Sequence, residues 1–199
     1  MRIIIPVFLL LFLSCRQSPT AASVNANNIP QLHPHQEAFW QALKQMCGNA
    51  YEGTVISAPA NDTTFSGKKL YMHVRSCIQN TVRIPFVVGN DLSRTWVLTR
   101  NADYILLKHD HRNMDGSSDS LTMYGGSTSN SGTPGVQFFS ADQETVDLLP
   151  AAGGNVWWIE LKPGESFTYN LRRLGTDRLF SIRFDLAKTV EAPPPPWGS

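Results

Sequence analysis

From Tyr51 onward the side chains change character every second residue. "YEGTVIS", "KKLYMHVRSC", "TVRIPFVVG", "RTWVLTR", "DYILLKHDHR", "SLTMYGG", "NVWWIELK", "ESFTYNLRR" and "RLFSIRFDL" are each of strand length, and Gly, Pro, Asn or Asp clusters separate them. A period of two puts alternate side chains on opposite faces of a sheet, so each segment has one face to bury. Strands of this kind in series need a common interior, which a closed antiparallel barrel or a two-sheet sandwich supplies. Closure also removes exposed strand edges. The expected fold is therefore mainly β: a closed antiparallel β-barrel of about 8–10 strands, with a β-sandwich as the alternative.

One helix precedes the strands. "PHQEAFWQALKQMCGN" has Pro34 suited to a first turn, apolar Phe39, Leu43 and Met46 at helical spacing, and Gly48 as a stop; Trp40 and Cys47 lie beside that stripe. A second, short helix is expected in "SADQETVDLLP", with Ser140 as N-cap and Pro150 as stop. The glycine-rich "MYGGSTSNSGTPG" at 123 to 135 lacks Gly-Lys-Ser/Thr and opens no helix, so it reads as a mobile loop over a barrel mouth.

The ends of the chain give an address. Arg2 and the apolar run Ile3 to Leu13 have the form of a signal peptide over 1–14, too short for a bilayer span. Phe12-Leu13-Ser14-Cys15 resembles a bacterial lipobox, which implies cleavage before Cys15 and its lipidation, and hence a membrane as partner. The absence of Asp at position 16 favours the outer membrane, with the protein facing the periplasm. Residues 15–33 then form a lipidated flexible tether, 34–188 a single β-rich domain with the N-terminal helix, and 189–199 a Pro-rich tail. That tail, "EAPPPPWGS", is expected to be extended and disordered rather than docked through Trp197. With Cys15 taken by lipid, Cys47 and Cys77 remain to pair as a disulfide in an oxidising compartment. A formal net charge of +1 and no basic run argue against nucleic acid as a partner.

A helix followed by a meander of strands, with "CGNAYEGTV" leading into the first, resembles the calycin barrels: lipocalins, fatty-acid-binding proteins and the nitrobindin-like group. The resemblance spans residues 35 to 186 as element order, with "AYEG" at 50 to 53 standing where lipocalins carry Gly-x-Trp. It implies a barrel holding a small apolar or amphipathic ligand. "IELKPGESFTYNL" is similar to the penultimate hairpin of many immunoglobulin-like domains, which is what keeps the sandwich in play.

On the strand from 104 to 112, one parity carries Ile105, Leu107, His109 and His111, and the other Leu106, Lys108, Asp110 and Arg112. The first set faces inward, placing both histidines at the mouth of the interior. Histidines at i and i+2 have Cβ atoms about 7 Å apart on one face, within reach of a single transition metal such as zinc, iron or copper. The pair resembles the His-x-His strand motif of cupins, which adds a Glu and a later His; here a third ligand would come from His73, Asp115, Asp119 or Glu160. Asp115-Gly116 with Ser117, Ser118 and Asp119 has the chemistry of a turn rather than of a calcium loop.

Trp96, Leu98, Tyr124, Phe138, Trp157, Ile159, Phe167 and Tyr169 also fall on inward parities. The ligand-binding set is expected to be His109, His111, Arg94, Trp96, Tyr124 and Trp157. No Gly-x-Ser-x-Gly elbow or catalytic residue is identified, so an enzyme is the less favoured class. The leading expectation is a membrane-anchored cell-envelope lipoprotein whose barrel binds a small apolar or amphipathic molecule. The alternatives are a metal-dependent enzyme using His109 and His111, and a structural envelope protein with a filled barrel.

Overall fold

The computed structural model describes residues 31–199. The signal peptide, Cys15 and the tether up to residue 30 lie outside the described residues. Helix α1 (Pro34–Gln45) leads into strands β1 (Ala50–Ser57), β2 (Leu70–His73), β3 (Ser76–Ile78), β4 (Thr81–Val88), β5 (Asp91–Arg100), β6 (Ile105–His111), β7 (Tyr124–Ser127) and β8 (Val136–Ser140). A short helix α2 (Gln143–Leu148) and a 3-10 turn (Pro150–Ala152) follow, and then β9 (Asn155–Lys162), β10 (Ser166–Arg173) and β11 (Leu179–Asp185).

The strands form one antiparallel sheet in the order β7-β6-β5-β4-β2-β1-β11-β10-β9-β8, with β3 added on β4. It curls into a nearly closed barrel of 10 strands plus one helix, not a sandwich. Apart from β2–β4, which skips the short β3, and the β11–β1 pairing that brings the chain's end back to its start, neighbours in the barrel are neighbours in sequence, the up-and-down arrangement that short connections favour. The expected strand "KKLYMHVRSC" is broken into β2 and β3 around Val74 and Arg75, because Val74 turns aside to bond Gly48 and Asn49 beyond α1.

Helix α1 closes one end of the barrel. His33 caps it by accepting from the backbone of His35, while the Gln36 side chain accepts from the His33 backbone. Phe39, Trp40 and Leu43 are buried on its inner stripe, and Leu32 ahead of the cap is buried too, so the packed body starts at least two residues before Pro34. Polar bonds fix the helix at this end: Gln36 donates to Thr128 Oγ1 at 2.8 Å, and Glu37 takes Arg100 at 2.8 Å. Gly48 past the C-terminus sits at φ 89°, a left-handed conformation that glycine tolerates. The next anchor is covalent, a disulfide between Cys47 and Cys77 on β3.

The sheet's two ends, β7 and β8, are joined by few bonds. The backbone contributes a bridge between Thr128 and Phe139 and a hydrogen bond from Asp142 N–H to Gly125 C=O. Thr145 of α2, fully buried, accepts from the Gly125 N–H at 2.6 Å and donates to its C=O at 2.8 Å. Gly125 and Gly126 let the backbones meet here, since a Cβ would strike Leu107 C=O at the first and Ser140 C=O at the second. So "MYGGSTSNSGTPG" is not a loop throughout: its start is strand β7. β8 was not among the expected strands. Its five residues are bulky on both faces, Phe139 pointing in and Phe138 out against Trp158, and no alternation marks it. Phe138 is thus corrected from interior to exterior. In α2 the N-cap is Asp142, not Ser140, and Pro150 opens the 3-10 turn instead of ending the helix.

The outer face of β6 is more buried than its polarity implies. Lys108 lies under α2, paired with Asp142 at 2.7 Å and Glu144 at 2.8 Å. Asp110 is buried and accepts from Arg83 at 2.6 Å and Arg112 at 2.8 Å. The C-terminal tail passes beside it rather than hanging free: Val190 bonds Ala50, Trp197 N–H donates to Leu92 C=O, and Trp197 borders a cleft shared with Arg83, Asp110 and Arg112. Four prolines in the tail remove chain entropy before docking, which makes a few anchors sufficient.

Asp110→Ala is expected to cost about 2 kcal/mol at neutral pH, because two arginines lose charge-assisted bonds yet keep access to water. The Arg112 and Arg83 bonds outweigh burial and hold the Asp110 carboxyl below its ordinary value of 3.8. Its contribution is therefore complete above that value and disappears as pH falls through the lower folded value. Urea unfolding of both proteins should show the gap at pH 7 closing on acidification; a gap independent of pH contradicts the assignment.

Candidate functional site

The other end of the barrel is open. Arg94 lies near the start of β5, His111 ends β6, Tyr124 begins β7, Asn155 begins β9 and Arg173 ends β10. Antiparallel alternation brings these termini to one rim, opposite the Arg100 and Thr128 that hold α1. Inside the rim is a cavity of about 200 Å³.

Its wall contains Arg94, Trp96, His109, His111, Tyr124 and Trp157, all six residues that the sequence pointed to. Register explains the gathering. Arg94 pairs with His111 and Trp96 with His109 across β5 and β6, while Tyr124 pairs with His109 from β7. On the far side Trp157 pairs with Leu171 across β9 and β10. The residues stand in two layers: Arg94, His111, Asn155 and Arg173 at the rim, and Trp96, His109, Tyr124, Trp157 and Leu171 beneath.

Below these layers the barrel is solid. Trp96 stacks on Phe86 at 4.7 Å and on Tyr169 at 4.4 Å between ring centroids, and Phe167 and Phe184 fill the space behind it. The cavity is a recess at the mouth, not a channel through the core.

His109 has both ring nitrogens in use. Nδ1 lies 3.0 Å from the Tyr124 carbonyl, which only accepts, so Nδ1 carries the proton; Nε2 then accepts from the Tyr169 hydroxyl at 2.8 Å. Burial drives its pKa down to about 3, so the imidazole is neutral. Its ring stacks on Tyr124 at 4.7 Å, and the Tyr124 hydroxyl reaches His111 Nε2 at 3.1 Å. Burial, helped by the nearby Arg94 charge, also lowers the His111 pKa.

The donor geometry leaves little for a shared metal. His109 Nε2 would reach an ion only by losing Tyr169, and of the four further ligands considered Asp119 comes beside His111 through its backbone, its N–H donating to the His111 carbonyl at 3.0 Å. Among the described residues no three of His, Cys, Asp and Glu are grouped to hold an ion. Asp115 instead accepts from the Ser117 backbone and hydroxyl, with Gly116 at φ 86°, and Asp119 accepts from the Leu121 backbone: the turn joining β6 to β7.

Sequence reasoning did not single out Asn155, Arg173 and Arg178 of the same wall. Arg173 Nε donates to Asn155 Oδ1 at 2.9 Å, and the Arg178 guanidinium lies 4.9 Å over Phe180. The available signal was "NLRRLGTDR", a strand end and turn with more arginine than acid. Arg94 pairs with Asp91, and no carboxylate among the described residues lines the cavity. No protein-family model, curated protein or solved structure matches the chain.

Proposed function

We propose that this protein is a bacterial cell-envelope lipoprotein, anchored through Cys15 to the periplasmic side of the outer membrane, whose barrel mouth binds a small amphipathic molecule. One observation carries the binding half of this reading: aromatic faces and a few polar groups from seven strands converge on a single recess at the open end. A cavity of about 150 Å³ lined by apolar side chains is enough for benzene. The recess therefore suits a molecule of about one ring, with any longer part reaching solvent. The anchoring half rests on the residue pattern at positions 1 to 15, and the Cys47–Cys77 disulfide agrees with an oxidising compartment.

Native mass spectrometry of the full-length protein, extracted from its own membranes in mild detergent, tests both halves. The expected spectrum shows an acylated Cys15 and a non-covalent small-molecule adduct that Trp157→Ala loses. An unmodified, uncleaved N-terminus overturns the anchoring. A Trp157→Ala spectrum identical to that of the natural protein overturns binding at the mouth, and a stoichiometric metal that vanishes in His109→Ala/His111→Ala overturns the metal-free site.

A further inference from the structure

Arg173 ends β10, Arg178 precedes β11, and the Arg173 N–H donates to the Arg178 carbonyl at 3.0 Å. They are the next pair in a ladder that already matches Leu171 with Phe180 and Arg172 with Leu179, so they stand directly across from one another. Like charges in that position repel. An acid nearby would relieve the repulsion, yet neither arginine forms an ion pair among the described residues, and residues 1 to 30 contain no Asp or Glu. Both arginines line the recess, and the Arg178 guanidinium lies over Phe180, another residue of its wall.

The rest of the wall adds no compensating charge. Arg94 is cancelled by Asp91, and His109 donates and accepts as a neutral ring. Two positive charges therefore stand unopposed over an aromatic recess, an arrangement that costs stability in the empty protein and gains from a negative partner. Arginine's planar fork favours oxyanions in particular.

We infer that the ligand is a compact organic anion, about one ring in size, whose carboxylate, phosphate or sulfate group is held between Arg173 and Arg178 while its apolar part lies against Trp157 and Tyr124. This rests on the small-molecule reading above and names the chemical class that the site selects.

Benzoate, phenyl phosphate and the neutral benzyl alcohol distinguish the two levels, with binding read by calorimetry and by the fluorescence of Trp96 and Trp157. At least one of the anions should bind, about tenfold or more tightly than benzyl alcohol, and its affinity should fall with added salt. Arg173→Gln/Arg178→Gln should weaken the anion about tenfold or more without changing benzyl alcohol. Arg178→Gln alone, at an exposed position, guards against a folding defect and should show part of the same loss. Benzyl alcohol binding as well as the anions, or anion affinity untouched by the arginine changes, overturns the anion inference and leaves the small-molecule reading standing. No binding by any of the three overturns both.

Discussion

Trp96→Ala should lower the unfolding free energy by about 3–5 kcal/mol, the range for removing a large aromatic side chain from a packed core. Trp96 is 2% exposed and touches four other aromatic rings: Phe86 and Tyr169 by close stacking, Phe167 at 6.1 Å and Phe184 edge-on at 6.1 Å. Few neighbours can move in, because Phe167 and Phe184 are themselves fully buried and held by flanking strands. A void therefore remains, and it opens directly under the recess. Chemical denaturation with an unchanged m-value and a lower midpoint is the expected result. A loss below about 1 kcal/mol would mean that the rings repack and that the floor of the recess is soft.

Breaking the Cys47–Cys77 bond should cost about 3–4 kcal/mol. The bond closes a separation of 30 residues, and the chain-entropy relation gives a value in that range for a loop of this length. The loss also releases the C-terminal end of α1, so Phe39, Trp40 and Leu43 would be held at the closed end only by packing and by the Gln36 and Glu37 bonds. Guanidinium unfolding with and without reductant checks it: reductant should shift the natural protein and leave Cys47→Ser/Cys77→Ser unmoved. Because the bond lies at the end opposite the recess, the variant should keep its ligand affinity under folding conditions. An equal response of both proteins to reductant contradicts the assignment.

Much of this architecture could be read from alternation alone. The inward parity of Ile105, Leu107 and His109 needed only a period of two and a barrel to point into, and Cys47 needed only one cysteine for Cys77 to meet. What escaped has local causes. β8 carries bulky residues on both faces, Phe139 inward and Phe138 packed outward against Trp158, so no polar alternation marks it in the sequence, and Phe138 was misplaced with it. Lys108 and Asp110 have outward parity but are covered, one by α2 and the other by arginines and the tail, which no periodicity reports. The recess was half visible. Its histidine and tryptophan side lies on strongly patterned strands, whereas Arg173 and Arg178 sit where a strand gives way to a turn, and there polarity is ordinary until the pairing across the hairpin is known.

The seam between β7 and β8 gives the molecule a direction of yielding. Around the rest of the wall each strand pairs with its neighbours over three or more residue pairs, but here closure depends on a few backbone bonds, on a threonine of a six-residue helix and on the Lys108 ion pairs to Asp142 and Glu144. Thermal opening that costs least begins at such a line, well before the cooperative loss of the whole barrel. Tyr124 stands at the head of β7, with its ring forming one side of the recess. The least-paired line of the wall thus borders the recess, so any loosening of that seam changes the shape of the recess first.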